Sequence, residues 1–170
     1  ASFKALSRLT RKLLDEAPLQ AAEIAAIVSQ EVADDMPELV AEIAVLAAEA
    51  APDQRIEVAA AIIQEVPEAS VEVASGVAET IAASPDDELH SFLAAEDDDN
   101  YVGEGAELAI AVALEAPNQA LLEIATAVAE ALPEDAAQVA ESMAQADPEQ
   151  ASDIVDSISE AVPEMADDVM

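Results

Sequence analysis

Residues 52–81 read PDQRIEVAAAIIQEVPEASVEVASGVAETI, two units of 15 residues that each open on a proline. After Pro52 the apolar positions are Ile56, Ala59, Ile62, Ile63 and Val66. After Pro67 they are Val71, Ala74, Val77, Ala78 and Ile81, the same set moved along by one unit. Steps of three and four place each set on one face of a helix. Proline is tolerated at the first helical position, where its missing N–H would have had no partner. An acid follows each proline (Asp53, Glu68) and meets the positive end of the helix dipole. Proline also drives the preceding residue out of the α region, so each one closes a helix while opening the next.

Outward from this stretch, prolines fall at 18, 37, 52, 67, 85, 117, 133, 148 and 163. The spacing is 15 to 19 residues except for one interval of 32, the length of two units. Gly103 stands there where a proline is due, with Ala106, Ile110 and Leu114 as counterparts of Ala120, Ile124 and Val128. The pattern predicts an all-α protein, an α-solenoid of about ten short helices, one per repeat of 15–16 residues. A helix of ~12 residues is about 18 Å long and marginal alone in water, so each must bury its stripe on neighbours. No segment sustains the polar–apolar alternation of a strand. The predicted organisation is N-terminal repeats over 1–95, with a basic amphipathic helix over 2–14. An acidic loop over 96–102 and C-terminal repeats over 103–170 follow.

Composition agrees with stacked helices. Apolar residues make up 53 % of the 170, and 42 of them are alanine, the strongest helix former and the smallest core side chain. The formal charge is −33, and it is segregated. Lys4, Arg8, Arg11 and Lys12 are four of the five cations, whereas the chain beyond them carries all 38 acids and only Arg55. A body this acidic repels nucleic acid and anionic membranes and attracts cations and basic proteins. Saline surroundings suit it, so an extracellular or cell-surface setting is expected, with the cytoplasm as the other option. No apolar run reaches the ~18 residues of a membrane span.

The units Ala51-Pro52-Asp53-Gln54 and Leu132-Pro133-Glu134-Asp135-Ala136-Ala137 resemble the Pro-Glu-x-Ala, alanine-rich repeats of uncharacterised bacterial secreted or surface proteins. The wider pattern is similar to α-solenoids of the TPR and HEAT type, without the tryptophan, tyrosine and glycine markers of a true TPR. The resemblance implies a repeat fold and brings no functional residues with it.

Catalytic chemistry finds few candidates. There is no cysteine, and His90 is the only histidine, which excludes a multi-histidine metal site within one chain. No glycine-rich phosphate loop and no serine with a neighbouring base is present. The protein is therefore expected not to be an enzyme and to use no organic cofactor. Ca²⁺ is the one candidate ion. Asp97, Asp98, Asp99 and Glu104 supply oxygen ligands, but Tyr101 and Val102 occupy places where a calcium loop needs a ligand and a glycine. A solvated acidic loop is the ordinary reading of such a run.

The ends carry the functional expectation. Phe3, Leu6, Leu9, Leu13 and Leu14 share one helical face, with Lys4, Arg8, Arg11 and Lys12 toward another. This segment reads as a membrane-surface anchor, as a targeting segment, or as a helix that docks on an acidic surface of this chain or of another copy. At the other end, Glu164, Asp167 and Asp168 surround an incomplete apolar stripe containing Ala166 and Val169. A repeat array needs capped ends, and here one end is basic and the other acidic. The leading expectation is a structural protein, a homo-oligomer joined head to tail into a filament or surface layer. In it Phe3, Lys4, Leu6, Arg8, Leu9, Arg11 and Lys12 of one copy meet Glu164, Asp167, Asp168 and Val169 of the next. Residues 1–14 read as separable from the rest. The alternatives are an acidic scaffold that captures a basic protein or peptide, and a low-affinity Ca²⁺-binding surface protein.

Overall fold

The computed structural model describes residues 3–84 and 102–165. Within them lie nine α-helices and no strand, against about ten helices expected. They are α1 (Phe3–Glu16), α2 (Ala21–Val32), α3 (Glu38–Ala50), α4 (Arg55–Glu65), α5 (Ser70–Ala82), α6 (Glu104–Glu115), α7 (Leu121–Ala131), α8 (Ala136–Ala146) and α9 (Ala151–Ala161). His90, Phe92, Tyr101 and the stretch Asp97–Asp99 lie outside the described residues, as do Ala166, Asp167, Asp168 and Val169.

The proline does something more specific than open a helix. At 18, 52, 67 and 133 it begins a single 3-10 turn, and the α-helix starts three residues later. The residue before it carries the whole break: Ala51, Val66 and Leu132 share φ between −127° and −135° and ψ between 71° and 75°. Pyrrolidine crowding forbids the α conformation at this place. The amide of that residue still donates into the helix just ended, from Val66 to Ile62 O at 2.8 Å and from Leu132 to Val128 O at 2.9 Å. Its carbonyl accepts from the new turn, from Gln54 to Ala51 O at 2.9 Å and from Asp135 to Leu132 O at 3.0 Å. Helix therefore passes to helix through one residue whose own N–H and C=O both stay paired. That residue is itself core: Ala51, Val66 and Leu132 are buried.

Each described helix packs against the next described helix and against the one after that. Odd helices meet in the order α1–α3–α5–α7–α9, and even helices in the order α2–α4–α6–α8. One apolar cluster runs through all of them, from Leu14 to Val162. Because every inner helix is covered on several sides, its apolar stripe is wider than the sequence repeat suggests. Val58 and Val73 are fully buried beside the predicted Ile62 and Val77. Alanine permits close approach, and Gly76 extends the same logic, since a Cβ there would lie 3.0 Å from Val45 Cγ2 of α3.

One register reading is corrected. Ile110 and Leu114, taken as core, are 40 % and 77 % exposed, whereas Leu108, Ala109 and Val112 are fully buried. Gly103 is also not a substitute for proline. It is the N-cap of α6, and its amide donates to Gln138 Oε1 at 2.7 Å, a bond that proline could not make. Counting back from Pro117 instead of forward from Gly103 restores the register.

Polar contacts tie helices of the same series together at their turns. The residue two places after a proline reaches the turn two helices earlier. Gln54 Nε2 donates to Pro18 O at 3.2 Å, and Gln150 Nε2 donates to Asn118 O at 3.1 Å. Asp135 Oδ2 accepts from the Gly105 amide at 2.8 Å. This last contact caps the N-terminus of α6 with a carboxylate from another repeat, where the helix dipole favours negative charge.

Candidate functional site

α1 is held in place by the face that carries Leu6, Thr10 and Leu14. Leu14 and Thr10 are 0 % and 2 % exposed, and Leu6 packs on the core. α1 rests on α2 and α3. The apolar face read from the sequence is thus divided: Leu14 and Leu6 turn inward, while Phe3, Leu9 and Leu13 remain at the surface. Residues 1–14 are consequently no separable arm, because Leu14 belongs to the same core as Leu39 and Ile43.

Lys4, Arg8, Arg11 and Lys12 are all exposed. Lys12 lies 3.8 Å from Glu16 one turn on, a solvent-exposed pair of small energetic weight. Phe3, Lys4, Ser7, Arg8 and Arg11 form one wall of a shallow groove whose other wall is Glu42 and Leu46 of α3. Beyond Glu42 a second groove runs between α3 and α5, floored by Val45, Val71, Gly76 and Ala127 and edged by Glu42, Glu72 and Glu79. Glu42 therefore separates a basic surface from an acidic one.

At the other end, α9 exposes Asp153, Asp156 and Glu160, and Glu164 follows in the next turn, also exposed. Of the acidic residues expected to take part in assembly, Glu164 alone is among the described ones. Glu104, named as an ion ligand, begins α6 with its Oε2 3.7 Å from Arg55 Nη1. Among the described residues no group of three or more His, Asp or Glu is arranged to hold a metal ion. No helix among them is long and apolar enough to cross a membrane.

Two surface features escaped the sequence reading. Ile27 of α2 is 55 % exposed and Leu19, in the turn before it, 88 %. Both look like ordinary members of an apolar stripe, and among the described residues no neighbour covers them on that side.

No family model matches this chain, and neither a curated protein nor a solved structure matches it significantly.

Proposed function

We propose that the protein is an acidic α-solenoid that serves as a structural, self-assembling subunit, with copies joining head to tail into a filament or surface layer. The solenoid reading draws support from the regular succession of contacts, each helix with the next and with the next but one. The assembly reading rests on one observation. Four of the five cations sit exposed on the first helix, whereas the last described helix exposes only acids among its charged groups. Such polarity favours contact between unlike ends over contact between like ones, and a heterologous contact that does not close produces an open polymer. No catalytic step is assigned. An extracellular or cell-surface setting and weak Ca²⁺ association remain part of the proposal, since divalent cations would relieve the crowding of carboxylates.

Sedimentation and negative-stain images of the purified chain, over a range of concentrations with and without Ca²⁺, check the reading. Polymers that lengthen with concentration are the expected result. A chain that stays monomeric throughout would favour the second reading, an acidic scaffold for a basic protein, for which the groove edged by Glu42, Glu72 and Glu79 is the candidate surface.

A further inference from the structure

Position by position, the repeat shows which residues each helix offers to its neighbours. The residues five and nine places before the closing proline are Ala47 and Ile43 in α3, and Ile62 and Val58 in α4. They are Val112 and Leu108 in α6, Val128 and Ile124 in α7, Met143 and Val139 in α8, and Ile158 and Ile154 in α9. Every one of these twelve side chains is 0 % exposed. In α1 the same two places hold Leu13 and Leu9, which are 39 % and 54 % exposed.

α2 repeats the exception. Its closing interval is longer, so its register is taken from the opening proline, six and ten places on. There Ile24 and Val28 are only half-buried, and Ile27 beside them is 55 % exposed. The equivalent residues of α5, Val73 and Val77, are fully buried. The first helix pair thus leaves partly uncovered the surface that the later described helices bury.

α9 shows the complementary defect. Four and eight places before their closing prolines, α3 has Ala48 and Ala44, α4 has Ile63 and Ala59, and α7 has Ala129 and Ala125, all 0 % exposed. In α1 these places are Leu14 and Thr10, both buried. In α6 and α8 the pair is split, with Ala109 and Ala140 buried and Ala113 and Ala144 half-buried, and in α9 both residues, Ser159 and Val155, are half-buried. Among the described residues, the first pair is short of cover on one side of the stripe and α9 on the other.

We infer that these two surfaces are the two halves of one repeat-to-repeat contact, and that a second copy of the chain completes it. Leu9, Leu13, Ile24, Ile27 and Val28 of one copy seat against the end helix of another, on the side of Val155 and Ser159. The inference rests on the head-to-tail reading and gives it a specific surface. Charge selects the occupant on the α1 side: Arg8, Arg11 and Lys12 border Leu9 and Leu13, and Asp153, Asp156 and Glu160 border Val155 and Ser159, while on α2 the exposed Glu23 and Glu31 flank Ile27. Leu6, Ile24, Val28 and Val155 all pack partly on the chain's own core, so Leu9, Leu13 and Ile27 supply most of the apolar surface of the contact.

The experiment uses two blocked variants of the full chain. Leu9→Glu with Leu13→Glu blocks the head, and Val155→Glu with Ser159→Arg blocks the tail. All four side chains are at least partly solvated, so circular dichroism should show both variants folded. Each variant alone should associate at least about a hundredfold more weakly than the unmodified chain, since several apolar side chains lose their burial together. An equimolar mixture retains one good head and one good tail, so it should form a dimer that grows no further. Polymers from the head-blocked chain equal to those of the unmodified chain would overturn this surface while leaving self-assembly standing. A monomeric unmodified chain would overturn both. Anionic phosphatidylglycerol vesicles form a final arm: binding that requires Leu9 and Leu13, with no self-association, would make the surface a membrane contact and overturn the inference.

Discussion

Arg55 places its Nη1 3.7 Å from Oε2 of Glu104, so the one cation beyond residue 12 joins α4 to α6. The arginine is 8 % exposed, and its Nε is buried without a hydrogen-bond partner, whereas the glutamate side chain is 35 % exposed. An ion pair of this kind is held mainly by the packing of the arginine stem, because its charge has been taken out of water for an incomplete return.

Arg55→Ala should therefore destabilise the fold by about 1–3 kcal/mol, through lost packing and the loss of the cation beside Glu104. Arg55→Met, which keeps the volume and removes the charge, should cost clearly less. Urea unfolding followed by circular dichroism measures both. A methionine variant as destabilised as the alanine one would show that charge, not packing, dominates at this position.

The cap across repeats gives a second expectation. Asp135→Ala should cost about 1 kcal/mol, the usual loss when a helix N-terminus loses its side-chain acceptor. Gly105→Ala would ordinarily stabilise a helix, but here the new Cβ would lie 2.8 Å from Asp135 Oδ2 and 3.0 Å from Leu132 Cδ1, so it should destabilise. Combined, Gly105→Ala and Asp135→Ala should lose less than the sum of the two, since the aspartate is part of what the added methyl would strike. Melting temperatures of the four forms decide this, and strict additivity would remove the clash as the explanation.

Core and surface leucines of α1 should separate cleanly. Leu14→Ala is expected to cost about 2–4 kcal/mol, because the side chain is fully buried and leaves a cavity between helices. Leu9→Ala, at a 54 % exposed position, should change monomer stability by less than about 1 kcal/mol. Deletion of residues 1–14 should lower stability by more than either, since it uncovers the side of α3 that α1 covers. Equal stability of the deleted and complete chains would mean that α1 is not part of the fold.

Salt should stabilise the fold. Only two ion pairs form among the described residues, Lys12–Glu16 and Arg55–Glu104, and they leave the acidic surface largely unneutralised. The Debye length falls from about 30 Å at 0.01 M to about 3 Å at 1 M, so repulsion between repeats is removed over that range. Each 1 kcal/mol gained raises the melting temperature of a chain this size by about 2–4 °C. A rise of several degrees is expected in dilute, monomeric samples. A melting temperature independent of salt would mean that the carboxylates are too far apart to repel.

Local structure was legible in the sequence because it is set over short distances. Proline excludes α geometry one residue back, and steps of three and four define a helical face, so Pro52, Ile62 and Ile63 by themselves announce a helix and its buried side. Where the punctuation changes, register is lost: with no proline before α6, Ile110 and Leu114 align in sequence with the buried Ile124 and Val128 but lie exposed. The loss follows from chemistry that resides in another repeat, since Gly103 and Gly105 are shaped by Gln138 and Asp135. The segregation of cations into residues 4–12 was likewise evident from the chain alone. What tertiary structure decided was coverage. Leu9 and Leu14 are the same residue type on one amphipathic helix, and nothing within the helix distinguishes them. Leu14 is buried because α1 rests on α2 and α3, and Leu9 is 54 % exposed because no helix among the described residues lies on its other side. Burial depends on which neighbours are present, and a stripe of apolar residues records the need for neighbours without recording where the neighbours end.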